Sequence, residues 1–300
     1  MAIGEVRSVE TVEDVYYVDT GMFDTVGYGA VYVVDGERLA VLDSGIGTHR
    51  DRVFDAIDAV GLEVTDIDVI ALSHVHLDHA GGAGYLAAEA PDATVYAHEI
   101  GAPHLVDPDR LVEGTRRAVG EQWQFYTEPH PVPEDRVEAV SDGDRIDLGD
   151  RELLVGHVPG HAPHQVLLYE PYEDWVHVGD AAGIWIPALD SVRETSPPPD
   201  FDFEQALDDI DTISDLSVDT MLYPHFGPVT EVDYVLDAYK ETLTGFVEEV
   251  ERVAATAEDE EEVIQHFLDL QTVDRVWDDV KARGETAMNV RGVLRYLEDR

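Results

Sequence analysis

Three hundred residues can bury a sizeable core, and 44% hydrophobic with 8% aromatic content describes a globular chain, neither fibrous nor disordered. Sixty-five Asp and Glu oppose nineteen Lys and Arg, a formal charge of −46, which argues against partners held through phosphates: nucleic acid and anionic membrane surfaces. No cysteine occurs, so disulfides, thiolate nucleophiles and sulfur metal sites are excluded.

The acids are scattered along the chain rather than gathered in one tail, which reads as adaptation of the whole solvated face to a salty, halophilic cytoplasm. Only Lys240 and Lys281 are lysine. The opening residues lack a basic segment followed by an apolar run, so no signal peptide is expected. No run of about eighteen apolar residues is present to span a bilayer. A cytoplasmic protein with no membrane partner is expected.

In chain order, "DVYYVDTGMF" and "GAVYVVDGERLAVLDSG" read as strands rich in β-branched and aromatic residues, the second a hairpin turning at Asp35-Gly36. Residues 49–60 form an amphipathic helix, with Val53, Ile57 and Val60 near helical spacing. "IDVIAL" (67–72) is a buried strand that leads into "SHVHLDHAGG", and a helix of small residues (81–90) follows. "ATVYAH" (93–98) is another strand; residues 100–135 read as short helices and loops around five prolines. Strand patterns return at 145–158, 164–170 and 174–180, then prolines in 187–200 bar regular structure. A helix with Phe203, Ala206, Leu207, Ile210 and Ile213 on one face precedes a last strand, 218–228, ending in a turn. From about 231 four helices follow one another, near 231–255, 259–270, 272–282 and 289–298, the last behind an Asn289 cap. Two domains are expected: 1–230, and a helical C-terminal extension, 231–300.

"AVYVVDGERLAVLDSGIG" and "LLYEPYEDWVHVGDAAG" echo one another as strand, polar turn, strand, then Asp with small residues. Either the halves repeat structurally, with Asp43 and Asp180 at related strand ends, or two hairpins resemble each other by chance.

Metal ligands collect where strands stop. His74, His76, Asp78 and His79 crowd six positions; "VPGHAPH" puts His161 after a Pro-Gly turn, "HVGDAAG" puts Asp180 at a strand end, and "LYPHFGP" puts His225 in a Pro-bounded turn. His161 is preferred over His157, which lies within a strand. His74, His76 and His161 make a three-imidazole set with a place left for water. Asp78, His79 and His225 make a second set, and Asp180 is suited to bridge them. Seven oxygen and nitrogen donors without sulfur suit two divalent ions about 3.5–4 Å apart, Zn²⁺ first, with Fe or Mn as alternatives set by supply.

The H-x-H-x-D-H of "SHVHLDHAGG", with "LDSG", "PGH", "GD" and "PHFGP" in the same order, resembles the metallo-β-lactamase superfamily over about residues 15–230. The intact motif with Asp180 is most similar to its glyoxalase II-like branch. The resemblance implies an α/β fold, an αββα sandwich with a dinuclear site at one edge between the sheets. It implies that Asp43 orients the histidine loop. His164 is left between an orienting partner, a pocket-lining group and a plain loop residue. His177 reads as a core or surface residue, and Arg291 and Arg295 as solvated helix charges.

The expected activity is metal-dependent hydrolysis of a small acyl substrate, a thioester or ester. A hydroxide bridging the ions would attack the acyl carbon, and Asp78 and Asp180 would be its catalytic carboxylates. The alternative on the same fold is an iron persulfide dioxygenase with a single ion on His74, His161 and Asp180. An RNA-processing nuclease shares the motif but needs a basic groove that this composition cannot build. The C-terminal helices are expected to form a lid or a homodimer contact; the glutathione-binding basic residues of the glyoxalase II branch have no match there.

Overall fold

Strand alternation sorts the side chains of two sheets into an inner core and two outer faces. The computed structural model describes residues 2–270 and 276–300. In it, β1 (Val6–Ser8), β2 (Val15–Asp19), β3 (Ala30–Val34), β4 (Leu39–Leu42), β5 (Ile67–Ala71), β6 (Thr94–His98) and β7 (Val137–Val140) lie side by side in chain order. The first four pair antiparallel and the last four parallel, so β4 is the switch between the two modes.

The second sheet begins as an antiparallel meander of β8 (Arg145–Asp147), β9 (Glu152–His157), β10 (Val166–Glu170) and β11 (Trp175–His177). A small separate hairpin, β12 (Ile184–Ile186) and β13 (Ser191–Arg193), interrupts it. The chain then returns as β14 (Thr220–Tyr223), parallel to β11, and β15 (Gly227–Val229) closes the edge. The expected echo has a topological counterpart. In both β3–β4 and β10–β11 an antiparallel hairpin gains a parallel neighbour on its second strand, and Asp43 and Asp180 follow those second strands.

Tyr32, Leu42, Val69 and Ala71 point between the sheets and meet Leu153, Val155, Leu168 and Trp175. Their neighbours Val31, Val33, Val41 and Ile70 point outward under α1 (Arg50–Ala59), α3 (Ala83–Glu89) and α4 (Ala102–Val106), with the one-turn α2 (Leu77–Ala80) between α1 and α3. Period-two strands force this division, and a one-residue slip would invert it. Beyond α4, α5 (Asp109–Val119) runs across the sandwich edge with only Val119 buried.

Over the outer face of the second sheet lie α6 (Phe203–Asp215), α7 (Val232–Ala254), α8 (Glu260–Leu270) and α9 (Asp279–Asp299). Val235, Leu236, Tyr239, Leu243, Val247 and Val250 recur at helical spacing along α7 and pack into one core with Val176, Met221 and Tyr223. The result is helices, sheet, sheet, helices, with the C-terminal helices built onto the second helical layer.

Several expectations are corrected. The helices read at 272–282 and 289–298 are one helix where the chain is described, α9; residues 271–275 lie outside the described residues. Asn289 is buried inside α9 rather than capping it, and Asp278 takes the cap by accepting from the Lys281 N–H. The proline-rich stretch 187–200 begins with a 3-10 turn and β13, because Ser191–Arg193 pairs with Ile184–Ile186 ahead of the prolines. The helix read at 81–90 starts at Ala83, since Gly81 and Gly82 press on the backbone of Ile46 and Ser44. Edge strands β1 and β7 carry no alternation that marks them in advance.

Candidate metal centre and its cavity

Five loops and one short helix meet at the sandwich edge where β4, β5, β9, β11 and β14 end. His74 and His76 leave β5 in extended backbone, and α2 then turns Asp78 and His79 toward the same space. His161 follows Gly160, which lies so close to the backbone of α6 that a Cβ would collide with Ala206. The buried Asp209 of α6 accepts the Gly160 N–H at 2.6 Å. Asp180 follows Gly179, whose φ of +52° and crowding by Ser73 and Gln165 exclude any side chain. His225 sits in the turn between β14 and β15.

Four of the imidazoles are oriented by the nitrogen that faces away. Asp43, in left-handed backbone at φ 55°, takes the Ser73 N–H at 2.8 Å, both Oδ atoms lie within 3.0 Å of the Ser73 hydroxyl, and Oδ2 accepts from His79 Nδ1 at 3.0 Å. The Ser73 hydroxyl is thereby committed to donating, so His74 Nδ1–H donates to it at 3.1 Å. His161 Nδ1 donates to the Thr195 carbonyl at 3.1 Å and His225 Nδ1 to the Tyr28 carbonyl at 2.9 Å. The Nε2 lone pairs of His74, His79, His161 and His225 are left to face inward.

Those lone pairs converge. His76 Nδ1 is 3.0 Å from His74 Nε2 and 3.1 Å from His161 Nε2. One ligand atom each from His74, His76 and His161 lie within 4.8 Å of one another, and so do those of Asp78, His79 and His225. Asp180 spans the sets: Oδ1 is 3.5 Å from His79 Nε2 and 3.4 Å from His225 Nε2, while Oδ2 is 3.6 Å from His161 Nε2. The seven residues named from the sequence are all brought together.

Burial, then neighbouring imidazoles, pushes His74 well below the ordinary range and His76 down to about 3, so both are neutral acceptors. Burial also lowers His161. Around His79 burial acts the same way, but Asp180 and Asp78 outweigh it and raise it well above the usual value. Burial likewise works against an ionised Asp180, yet His79 and His225 hold it well below the carboxylate range. Buried His79 Nε2 and Asp180 Oδ1 have no hydrogen-bond partner. The neutral nitrogens of His74 and His76 facing one another beside a persistent carboxylate, with His79 Nε2 and Asp180 Oδ1 left unpaired, fit a bound cation.

His164 accepts the Val75 N–H at 3.4 Å and lies flat against His74, ring centroids 6.0 Å apart; burial takes it to about 2. His157 turns away, to the Pro163 carbonyl and a stack on His98. His177 departs from a satisfied core residue: neither ring nitrogen is hydrogen-bonded, and Nε2 lies 3.6 Å from Asp43 Oδ2. Its signal was the two-residue spacing from Trp175, which fills the inner core. Ser73, Thr195 and Asp209 had no signal, since their roles run through backbone groups or a hydroxyl.

A cavity of about 440 Å³ opens above the centre, with His76, Asp78, His161, Asp180 and His225 in its floor. Leu111 and Val119 of α5, Pro197–Pro199 and Met288 of α9 make apolar walls, and Arg110 stands at an exposed position of the lining. Lys281 and Glu285 of α9, 2.5 Å apart and buried, form a further wall. The Lys281 ammonium lies 4.4 Å over the ring of Phe23 and 4.8 Å over Tyr28, which stacks on His225 at 4.5 Å. Arg291 and Arg295 pair with Glu260 and Asp299, and neither lines this cavity.

A two-sheet sandwich with this histidine–aspartate cluster at its edge defines a class, and the comparisons agree with it. The sequence model of the metallo-beta-lactamase superfamily matches residues 24–225, and the chain belongs to that family. It is 25% identical over 205 residues to the metallo-beta-lactamase fold-containing protein ST1585 of Sulfurisphaera tokodaii, covering 67% of this chain and 73% of that protein. The crystal structure of ST1585 superposes with a TM-score of 0.70 at 22% identity, covering 94% of this chain and 99% of that one. The human acyl-coenzyme A thioesterase MBLAC2 is 24% identical over 196 residues, 56% of this chain and 63% of the relative. An N-acyl homoserine lactonase of a Bacillus species is 27% identical over 171 residues, 54% and 56% of the two chains. Among the described residues no helix is long and apolar enough to cross a membrane.

Proposed function

We propose that this protein is a dinuclear metal-dependent hydrolase of small acyl substrates, thioesters or esters. His74, His76 and His161 would hold one ion, Asp78, His79 and His225 the other, and Asp180 would bridge them. The observation that carries the reading is the convergence itself: six inward-facing imidazole and carboxylate donors in two sets, with one oxygen of Asp180 near each. Bound there, two divalent ions such as Zn²⁺ would acidify water and polarise an acyl oxygen.

The chain's own residues supply the rest. The Asp78 carboxylate, 21% exposed and facing the cavity, can accept a proton from water there. The apolar walls of Leu111, Val119, Pro197 and Met288 would hold an acyl group and exclude water around it. Cys-free chemistry is consistent with a route that needs no protein nucleophile. The names of two relatives, an acyl-coenzyme A thioesterase and an N-acyl homoserine lactonase, support acyl substrates. The charge of −46 disfavours a nucleic-acid substrate.

Elemental analysis with a panel of thioesters, esters, lactones and phosphodiesters in high salt tests this. Two ions per chain and acyl hydrolysis are expected, with His76→Ala and Asp180→Ala losing metal and hydrolysis together. A single iron per chain, or full activity in either variant, would overturn it.

A further inference from the structure

The residues that follow β13 run between the metal-site loops and the C-terminal helices: Thr195 touches both, and its neighbours Glu194 and Ser196 are bonded to α9. The Thr195 carbonyl accepts from His161 Nδ1 at 3.1 Å, and its hydroxyl donates to the Asp180 carbonyl at 2.8 Å. The same hydroxyl lies 3.0 Å from the Tyr239 hydroxyl of α7. On either side, Asn289 of α9 closes a clamp: Nδ2 donates to the Glu194 carbonyl at 3.0 Å and Oδ1 accepts from the Ser196 N–H at 3.0 Å. The Ser196 hydroxyl donates back to the Asn289 carbonyl at 3.2 Å. Gly292, almost one turn on, lies so close to the Ser196 carbonyl that no side chain fits. Thr195, Ser196, Tyr239 and Asn289 are all buried.

The Thr195 carbonyl and the Ser196 N–H belong to one planar peptide unit. His161 holds one end of that plane and Asn289 the other, so the direction in which His161 Nε2 points is tied to a side chain 128 positions away by the numbering of the chain. Packing alone would need only a side chain of the right volume. Here both polar ends of an amide are spent on adjacent peptide units, beside a hydroxyl that fixes the backbone of Asp180.

We infer that Asn289 is a positioning residue for the metal centre, setting His161 and the Asp180 loop through residues 194–196. This rests on the dinuclear reading above. Partners that orient metal-binding histidines change affinity by about 10–100-fold when removed. The test is zinc binding by equilibrium dialysis, with the visible spectrum of the cobalt(II)-loaded protein, for wild type, Asn289→Ala and Val293→Ala. Val293 is buried on the same helix and makes no bond to 194–196, so it reports on loss of packing alone.

Asn289→Ala should bind one zinc ion about 10–100-fold more weakly and alter the cobalt bands, while Val293→Ala retains both properties. Wild-type affinity and spectrum in Asn289→Ala, or equal losses in Val293→Ala, would overturn the inference. Should Asn289→Ala not fold, Thr195→Val, which cuts the hydroxyl link to Asp180 and leaves α9 intact, is read by the same two outcomes. A wild type that binds no zinc, cobalt or iron would instead remove the dinuclear reading.

Discussion

At the scale of single residues, four imidazoles of the centre, those of His74, His79, His161 and His225, are aimed by groups that never face it. Asp43 is the busiest, accepting from Ser73 and His79 with His177 nearby. Burial alone would raise its pKa, but His177 and His79 more than offset this and keep the carboxyl ionised. Asp43→Ala leaves the His79 Nδ1–H and the Ser73 N–H unpaired in the interior, and zinc affinity should fall about 10–100-fold in a competition titration against a chelator. Unchanged affinity would mean that α2 alone fixes His79. Asp209 gives a pH signature of the opposite kind. Burial raises it from 3.8 to about 6, despite bonds from Gln205 and the Gly160 N–H. A carboxyl whose folded pKa lies above its unfolded value favours the native state while protonated, so its contribution is full below pH 3.8 and is lost as pH rises through about 6. Asp209→Asn should therefore gain in unfolding free energy relative to wild type between those limits, measured by urea titration at each pH; a constant difference would refute this.

At the scale of elements, what could be read in advance follows from how strongly periodicity and motif constrain each segment. β3, β4 and β5 are short apolar runs, α6 repeats its apolar residues near 3.6, and seven donors at strand ends announce the cluster. α9 resists because its inward face is polar: Lys281, Glu285, Thr286 and Asn289 are buried where apolar residues mark a helix's packed side. That polarity splits the helix in any hydropathy reading and makes Asn289 look like a cap. The wall formed by α5 was equally hidden, since Arg110, Arg116 and Arg117 give it a solvated helix's composition while Leu111 and Val119 face the cavity. The Lys281–Glu285 pair makes α9 fragile in a specific way. Lys281→Met strands a buried carboxylate and should cost about 3–5 kcal/mol in unfolding free energy, whereas Lys281→Met with Glu285→Leu should recover most of it. Equal stability of the single and double variants would show that the ring contacts of Phe23 and Tyr28, not the pairing, hold the ammonium.

At the scale of the whole molecule, charge and metal set the working conditions. With −46 spread over the surface, self-repulsion is relieved as the screening length shortens from about 10 Å at 0.1 M salt to about 3 Å at 1 M. The unfolding midpoint should climb over that range of KCl, and a level or falling midpoint would contradict the charge argument. Chelator treatment should lower the midpoint too, because a ligand present at a thousand times its dissociation constant adds about 4.1 kcal/mol to the native state. Scarcity of lysine has a practical corollary. Lys281 is 3% exposed, and Lys240, 42% exposed at its side chain, is the chain's other primary side-chain amine. An acylating reagent would tag the native exterior at Lys240, and modification of Lys281 would time the moments when α9 lifts from the cavity.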